Sequence, residues 1–250
     1  LAMAANYVGG SVCALPIRPD GSLAPASAFH QHAGASADPR RQSEPHGHSI
    51  WPDPSNRWAL ACDLGLDQVL VYALDPAQGT LTPPRWPYVR IAAGCGPRHL
   101  AFHPNGRWAY VLNELRSSVT CFDWDAAQGL LREFAHAPAL PADFTAPNGA
   151  ADIHITPDGR YLYASNRGQN ALAIFRIDGE SGLLTLLGYA PTGGDHPRNF
   201  AISPDGRWLL AANMRSHQIV TFQIEETGQL RPTGAELRLP SPSCIQFWQG

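Results

Sequence analysis

The chain of 250 residues contains no lysine; all 18 of its basic residues are arginine. Schiff-base chemistry and a lysine general base are therefore excluded. Long apolar runs are missing too, with no stretch near the ~18 to 20 residues of a membrane-spanning helix. The opening Leu1-Ala2-Met3-Ala4-Ala5-Asn6-Tyr7 has no basic start followed by an apolar h-region. The expectation is a cytoplasmic, soluble protein whose chain begins partway through a repeat. Cysteine is scarce: Cys13, Cys62, Cys95, Cys121 and Cys244 lie far apart with no C-x-x-C pair, which reads as buried free thiols. A formal charge of −3 with no basic run gives no electrostatic reason to bind nucleic acid.

What is present is apolar material, 44% of the residues, cut at regular intervals by 23 glycines and 23 prolines. That is the texture of an all-β chain with many turns. His103-Pro104-Asn105-Gly106-Arg107-Trp108, Thr156-Pro157-Asp158-Gly159-Arg160-Tyr161 and Ser203-Pro204-Asp205-Gly206-Arg207-Trp208 are one motif, with Asp53-Pro54-Ser55-Asn56-Arg57-Trp58 a weaker copy. The prolines are 50, 53 and 47 residues apart. An apolar run stands on either side of each turn, where Pro fixes one corner and Gly supplies positive φ, so each is a hairpin. A polar residue follows nine places after each proline (Asp63, Asn113, Asn166, Asn213), then a third alternating run, a glycine turn and a more ragged fourth strand.

Four short strands per repeat make a β-propeller blade, and blades share a core that none could close alone. The expectation is one propeller domain over 1–250: a partial blade at 1–29, a loop at 30–47, blades at about 48–94, 95–147, 148–194 and 195–233, and a closing strand at 235–247. In such a blade the start of strand one and the end of strand two emerge on one rim of the central channel. Six places before each proline stand His48, Arg98, Ala151 and Arg198, followed by Ser49, His99, Asp152 and Asn199. Ten places after it stand Leu64, Glu114, Arg167 and Met214, so the repeat gathers arginines, a glutamate and histidines on one rim. Arg107, Arg160 and Arg207 recur at the opposite turn and read as structural. The histidines at 30, 32, 46 and 48 lack metal-site spacing, and no metal or other cofactor is expected.

The segments Gly96-Pro97-Arg98-His99-Leu100-Ala101-Phe102, Tyr110-Val111-Leu112-Asn113-Glu114-Leu115, Tyr163-Ala164-Ser165-Asn166-Arg167-Gly168 and Pro197-Arg198-Asn199-Phe200 resemble the lactonase family of seven-bladed propellers. The resemblance runs from Asn6 to Phe247 and implies that the first two to two and a half blades of that architecture are not in this chain. It implies an enzyme hydrolysing a sugar-acid lactone, 6-phosphogluconolactone to 6-phosphogluconate, in the pentose phosphate pathway. The alternatives are a muconate-type lactonizing cycloisomerase and a non-catalytic propeller scaffold. The lactonizing branch uses a histidine, two arginines and a glutamate. Arg98 and Glu114 match one arginine and the glutamate; the histidine matches His48 or His46, and the second arginine Arg167 or Arg198. The catalytic candidates are thus His48, Arg98, Glu114 and Arg167, and the substrate-binding candidates His46, His99, Asp152, Arg198 and Asn199. The expected partner is a small lactone or phosphosugar, with the oligomeric state left open.

Overall fold

The computed structural model describes residues 1–248 and, among them, contains strands and no helix. Each blade is an antiparallel meander. The first sheet holds β1 (Ala2–Asn6), β2 (Ser11–Leu15) and β3 (Ala28–Gln31); the second holds β4 (Gly47–Pro52), β5 (Trp58–Asp63), β6 (Gln68–Asp75) and β7 (Thr80–Thr82), with β8 (Tyr88–Arg90) also pairing to β6. The third is β9 (Pro97–Phe102), β10 (Trp108–Asn113), β11 (Ser118–Asp125) and β12 (Leu130–Pro138). The fourth is β13 (Ala150–Ile155), β14 (Tyr161–Asn166), β15 (Ala171–Ile177) and β16 (Leu184–Pro191), and the fifth β17 (Pro197–Ile202), β18 (Trp208–Asn213), β19 (Gln218–Ile224) and β20 (Leu230–Arg238). No helix among the described residues is long and apolar enough to cross a membrane.

The hairpin between strands one and two forms for the reason its residues suggest. Gly106, Gly159 and Gly206 sit at φ 71°, 77° and 71°, and in the weaker copy Asn56 takes the same conformation at 53°. The residue before each proline is buried and closes the turn: Asp53 accepts the Arg57 and Trp58 N–H groups, and the Thr156 and Ser203 hydroxyls accept those of Tyr161 and Trp208. These bonds satisfy backbone donors that the turn would otherwise leave unpaired.

Every apolar cluster straddles two blades. Tyr110, Leu112 and Val119 of the third pack with Ile153, Leu162 and Phe175 of the fourth; Tyr163 and Leu172 of the fourth pack with Phe200, Leu209 and Phe222 of the fifth. At the outer turn a glycine of one blade receives the aromatic ring that starts strand two of the blade before. A β-carbon on Gly182 would lie 2.7 Å from the Trp108 ring, and one on Gly129 would lie 2.6 Å from that of Trp58. The Tyr110 hydroxyl donates to the Gly182 carbonyl at 2.8 Å and Tyr163 repeats the bond to Gly228. An alanine at position 182 would meet both that ring and an unfavourable φ of 73°.

Two boundaries differ from expectation. β3 extends to Gln31, and β20 runs on to Arg238 because its pairing with β19 continues as far as Gln218↔Arg238. The first part of the expected closing strand therefore belongs to this outer strand. Residues 239–248 carry no strand; Pro240 and Pro242 have no N–H for a ladder, and residues 245–247 lie beside the inner strand β17, where the Ile245 N–H donates to the Asn199 side chain at 2.7 Å. All five cysteines are free; Cys62, Cys95 and Cys121 are buried and Cys244 is exposed. Burial pushes the Cys62 and Cys121 thiols up to about 12, which leaves them unreactive.

Candidate functional site

Each complete blade carries a β-bulge at the rim end of its innermost strand. In β4 the pairing jumps from Gly47 to Ser49, in β9 from Pro97 to His99, in β13 from Ala150 to Ile153, and in β17 from Pro197 to Asn199. A bulge supplies one extra residue and re-aims its side chain. The extra residues are His48, Arg98, one of the pair Ala151 and Asp152, and Arg198, so a repeated backbone irregularity delivers the candidate residues to the channel. The carbonyl just before each inner strand (His46, Gly96, Gly149, His196) accepts the N–H of Leu64, Glu114, Arg167 or Met214 respectively, which ties the two rim positions together.

Two polar clusters result. In the first, the Glu114 carboxylate is held by three guanidinium groups: Arg98 Nε at 3.1 Å and Arg167 Nη2 at 2.9 Å on Oε2, and Arg41 Nη2 at 2.6 Å on Oε1. Arg98 is 2% exposed and also donates to the Ala151 carbonyl, while Arg167 donates to the carbonyls of Gly149 and Ala150. Burial alone would raise the Glu114 pKa; Arg167, Arg41 and Arg98 outweigh it and hold the carboxyl below its usual range. Burial, with Arg167 adding to it, brings Arg98 down to about 10, still charged at neutral pH. Glu114 is thus the keystone of an arginine cluster, and its lone pairs are already taken.

In the second cluster Asp152, 2% exposed, is the centre. Its Oδ1 accepts from His99 Nδ1 at 2.7 Å, and its Oδ2 accepts from His154 Nε2 at 3.1 Å and Asn199 Nδ2 at 2.5 Å. Burial would raise Asp152, yet His154 and His99 hold it well below the carboxylate range. His154 is raised, because the attraction of Asp152 exceeds the effect of burial. His99 is lowered, because for this ring burial exceeds that attraction. With Nδ1–H committed to Asp152, the His99 Nε2 lone pair accepts a long hydrogen bond from Arg98 Nη1 at 3.4 Å, which a water would have to displace, and the side chain is 18% exposed.

The remaining candidates separate. His48 stands edge-on to the His99 ring at 5.2 Å and to Tyr7 at 5.4 Å, its Nδ1 enclosed without a partner; burial, then Arg98, His99 and Arg198, push its pKa far below the usual value. It has no carboxylate to orient it. His46 stacks on Tyr7 at 4.4 Å and donates from Nδ1 to the Tyr7 carbonyl, which is a packing role. The guanidinium of Arg198 makes no hydrogen bond or ion pair among the described residues, and its charge disfavours the protonated forms of His48, Arg98 and Arg167.

Sequence reasoning missed Arg41 and His154. Arg41 lies in the segment between β3 and β4, outside the repeat, so no register placed it. That segment is tied down by His32 on Asp63 at 2.6 Å, Gln42 on the Leu64 carbonyl and Ser36 on Asp67. His154 was open to detection as the i+2 neighbour of Asp152 on one strand.

Residues 1–247 match the family described as "Lactonase, 7-bladed beta-propeller". The chain is 35% identical to the 6-phosphogluconolactonase of Bacillus subtilis (strain 168) over 246 residues, 98% of this chain and 69% of that protein. It is 41% identical to the 6-phosphogluconolactonase of Pectobacterium carotovorum subsp. carotovorum (strain PC1) over 198 residues, 79% of this chain and 56% of that one. The periplasmic gluconolactonase of Pseudomonas aeruginosa superposes with a TM-score of 0.91 at 37% identity, covering 98% of this chain and 69% of that structure.

Proposed function

The chain belongs to the lactonase family of seven-bladed β-propellers, and from that premise we propose that it hydrolyses a sugar-acid lactone, 6-phosphogluconolactone to 6-phosphogluconate. The observation that carries the reading is the His99–Asp152 pair, a neutral imidazole oriented by a buried carboxylate, beside guanidinium charge that no carboxylate cancels. The curated relatives of that name and the gluconolactonase structure support it.

The chemistry follows from the groups. Water attacks the lactone carbonyl carbon while His99 Nε2 takes one of its protons. The carbonyl electron pair moves to oxygen, where Arg198, with the field of Arg98 behind it, stabilises the developing charge. The intermediate then collapses, the bond between the acyl carbon and the ring oxygen breaks, and that oxygen takes the proton from His99. The product hydroxy acid ionises. Glu114 holds Arg41, Arg98 and Arg167 in place, and His48 lines the wall beside the base.

Because the Arg198 guanidinium has no partner among the described residues, its removal should act on substrate and little on stability. A charge-assisted hydrogen bond is worth about 1.5 to 3 kcal/mol, so Arg198→Ala should lower kcat/KM by about tenfold to a hundredfold with an unchanged unfolding midpoint. Steady-state kinetics on the lactone, run beside a muconate diacid, check this; unchanged kinetics on the lactone, or faster turnover of the muconate, would overturn the assignment. The same reading puts the reaction in the cytoplasm, supported by five cysteines that form no disulfide. Recovery of the protein in the periplasmic fraction of its source cells would refute that.

A further inference from the structure

The hydrogen bonds that converge on Asp152 continue beyond the fifth blade. In the sequence, Pro242 to Phe247 repeats the spacing of Pro97 to Phe102 and Pro197 to Ile202, with Cys244 in the place of His99 and Asn199, and Ile245 in that of Leu100 and Phe200. Ile245, Gln246 and Phe247 lie along a groove with Ala201 and Ile202 of β17 and His154 of β13. The same bond recurs from one inner strand to the next. The Phe200 N–H donates to Asp152 Oδ2 at 3.4 Å, and one repeat further on the Ile245 N–H donates to Asn199 Oδ1 at 2.7 Å.

Both ends of the Asn199 amide are therefore engaged inside the fold, and the residue is 9% exposed. Nδ2 donates to Asp152 Oδ2 at 2.5 Å; an ionised carboxylate only accepts, so Oδ1 must face the other way, toward Ile245. A flipped amide would set two acceptors against each other at Asp152 and two donors against each other at Ile245. Without the Asn199 donor, His154 is the one side chain among the described residues still holding Oδ2, and the carboxylate can turn and carry Oδ1 away from His99 Nδ1.

We propose that Asn199 is a positioning residue for the base and that residues 245–247 act through it. Seated in their groove, they fix the amide that holds Asp152, and Asp152 fixes the His99 tautomer. The inference rests on the reading of His99 as the base of lactone hydrolysis, and it makes that base depend on a segment outside the five blades.

Kinetics on the lactone and nitrogen-15 spectra of labelled histidine test this in the parent, Asn199→Ala, Ile245→Pro and the double variant. Ile245→Pro deletes the N–H and keeps an apolar side chain. Each single variant should lower kcat by about tenfold to a hundredfold, the scale on which a small misplacement acts, with KM changed by less than about twofold. The His99 signals, identified by their loss in His99→Gln, should pass from one fixed tautomer toward a mixture. The double variant should lose no more than the worse single one, because both break the same path. A raised KM with unchanged kcat would assign Asn199 to the substrate and overturn the proposal. So would a fixed His99 tautomer in either variant that folds, or losses in kcat that multiply in the double variant. A tautomer mixture in the folded variants of a protein whose parent hydrolyses no lactone leaves the positioning role standing and removes the lactonase reading instead.

Discussion

His99→Gln and Asp152→Asn should each lower kcat for lactone hydrolysis by about 10²- to 10⁴-fold, the range a positioned general base contributes. The first removes the lone pair that accepts the proton from water. The second leaves that lone pair but removes the acceptor that fixes the Nδ1–H tautomer, so the ring can present the wrong nitrogen to the channel. The pH dependence carries a definite sign. His99 lies below its ordinary 6.5 because burial outweighs the opposing pull of Asp152. The base therefore stays unprotonated through pH 6.5, and kcat/KM should fall only at more acidic pH. Removing Asp152 takes away the group that raises His99, so in Asp152→Asn the residual acid limb should move lower still. A pH profile of kcat/KM for the three proteins checks the assignment. An acid limb that moves up in Asp152→Asn would speak against His99 as the base.

The largest effect on stability should come from Glu114→Gln. It leaves Arg98 and Arg167, both largely buried, without their carboxylate, and removing one partner of a buried ion pair costs about 3 to 5 kcal/mol. At roughly 2 to 4 °C per kcal/mol for a chain of this size, the midpoint should fall by about 6 to 20 °C. Arg41, whose side chain is 43% exposed, contributes the smaller share. The Glu114 pKa is depressed in the fold, so its stabilisation is fully present above the unfolded value and is lost as pH falls through the folded one. The midpoints of parent and variant should accordingly converge in acid. Urea denaturation of both at neutral and acidic pH reads the difference, and a constant gap would contradict the keystone role.

The repeat made much of this legible. Because the Pro-Asp-Gly turn recurs, counting from its proline placed Arg98, Glu114, Arg167 and Arg198 on one rim, and the bulge at the same point of every inner strand is why the count worked. Division of that rim into two clusters was not legible. Whether a carboxylate meets histidines or arginines depends on side-chain direction at a bulge, which spacing does not encode, and it is this that separates Asp152 from Glu114. Arg41 lay outside the period altogether. The histidines beside it were visible as residues, but the burial of His32 against Asp63 and the stacking of His46 on Tyr7 depend on the path of the inserted segment.

Proton release on addition of 6-phosphogluconolactone, followed at constant pH for the parent protein and His99→Gln side by side, tests the central claim most directly. The parent should release acid well above the spontaneous rate, and the variant, shown to be folded by its unfolding midpoint, should return close to it. Equal rates in the two proteins would contradict the account.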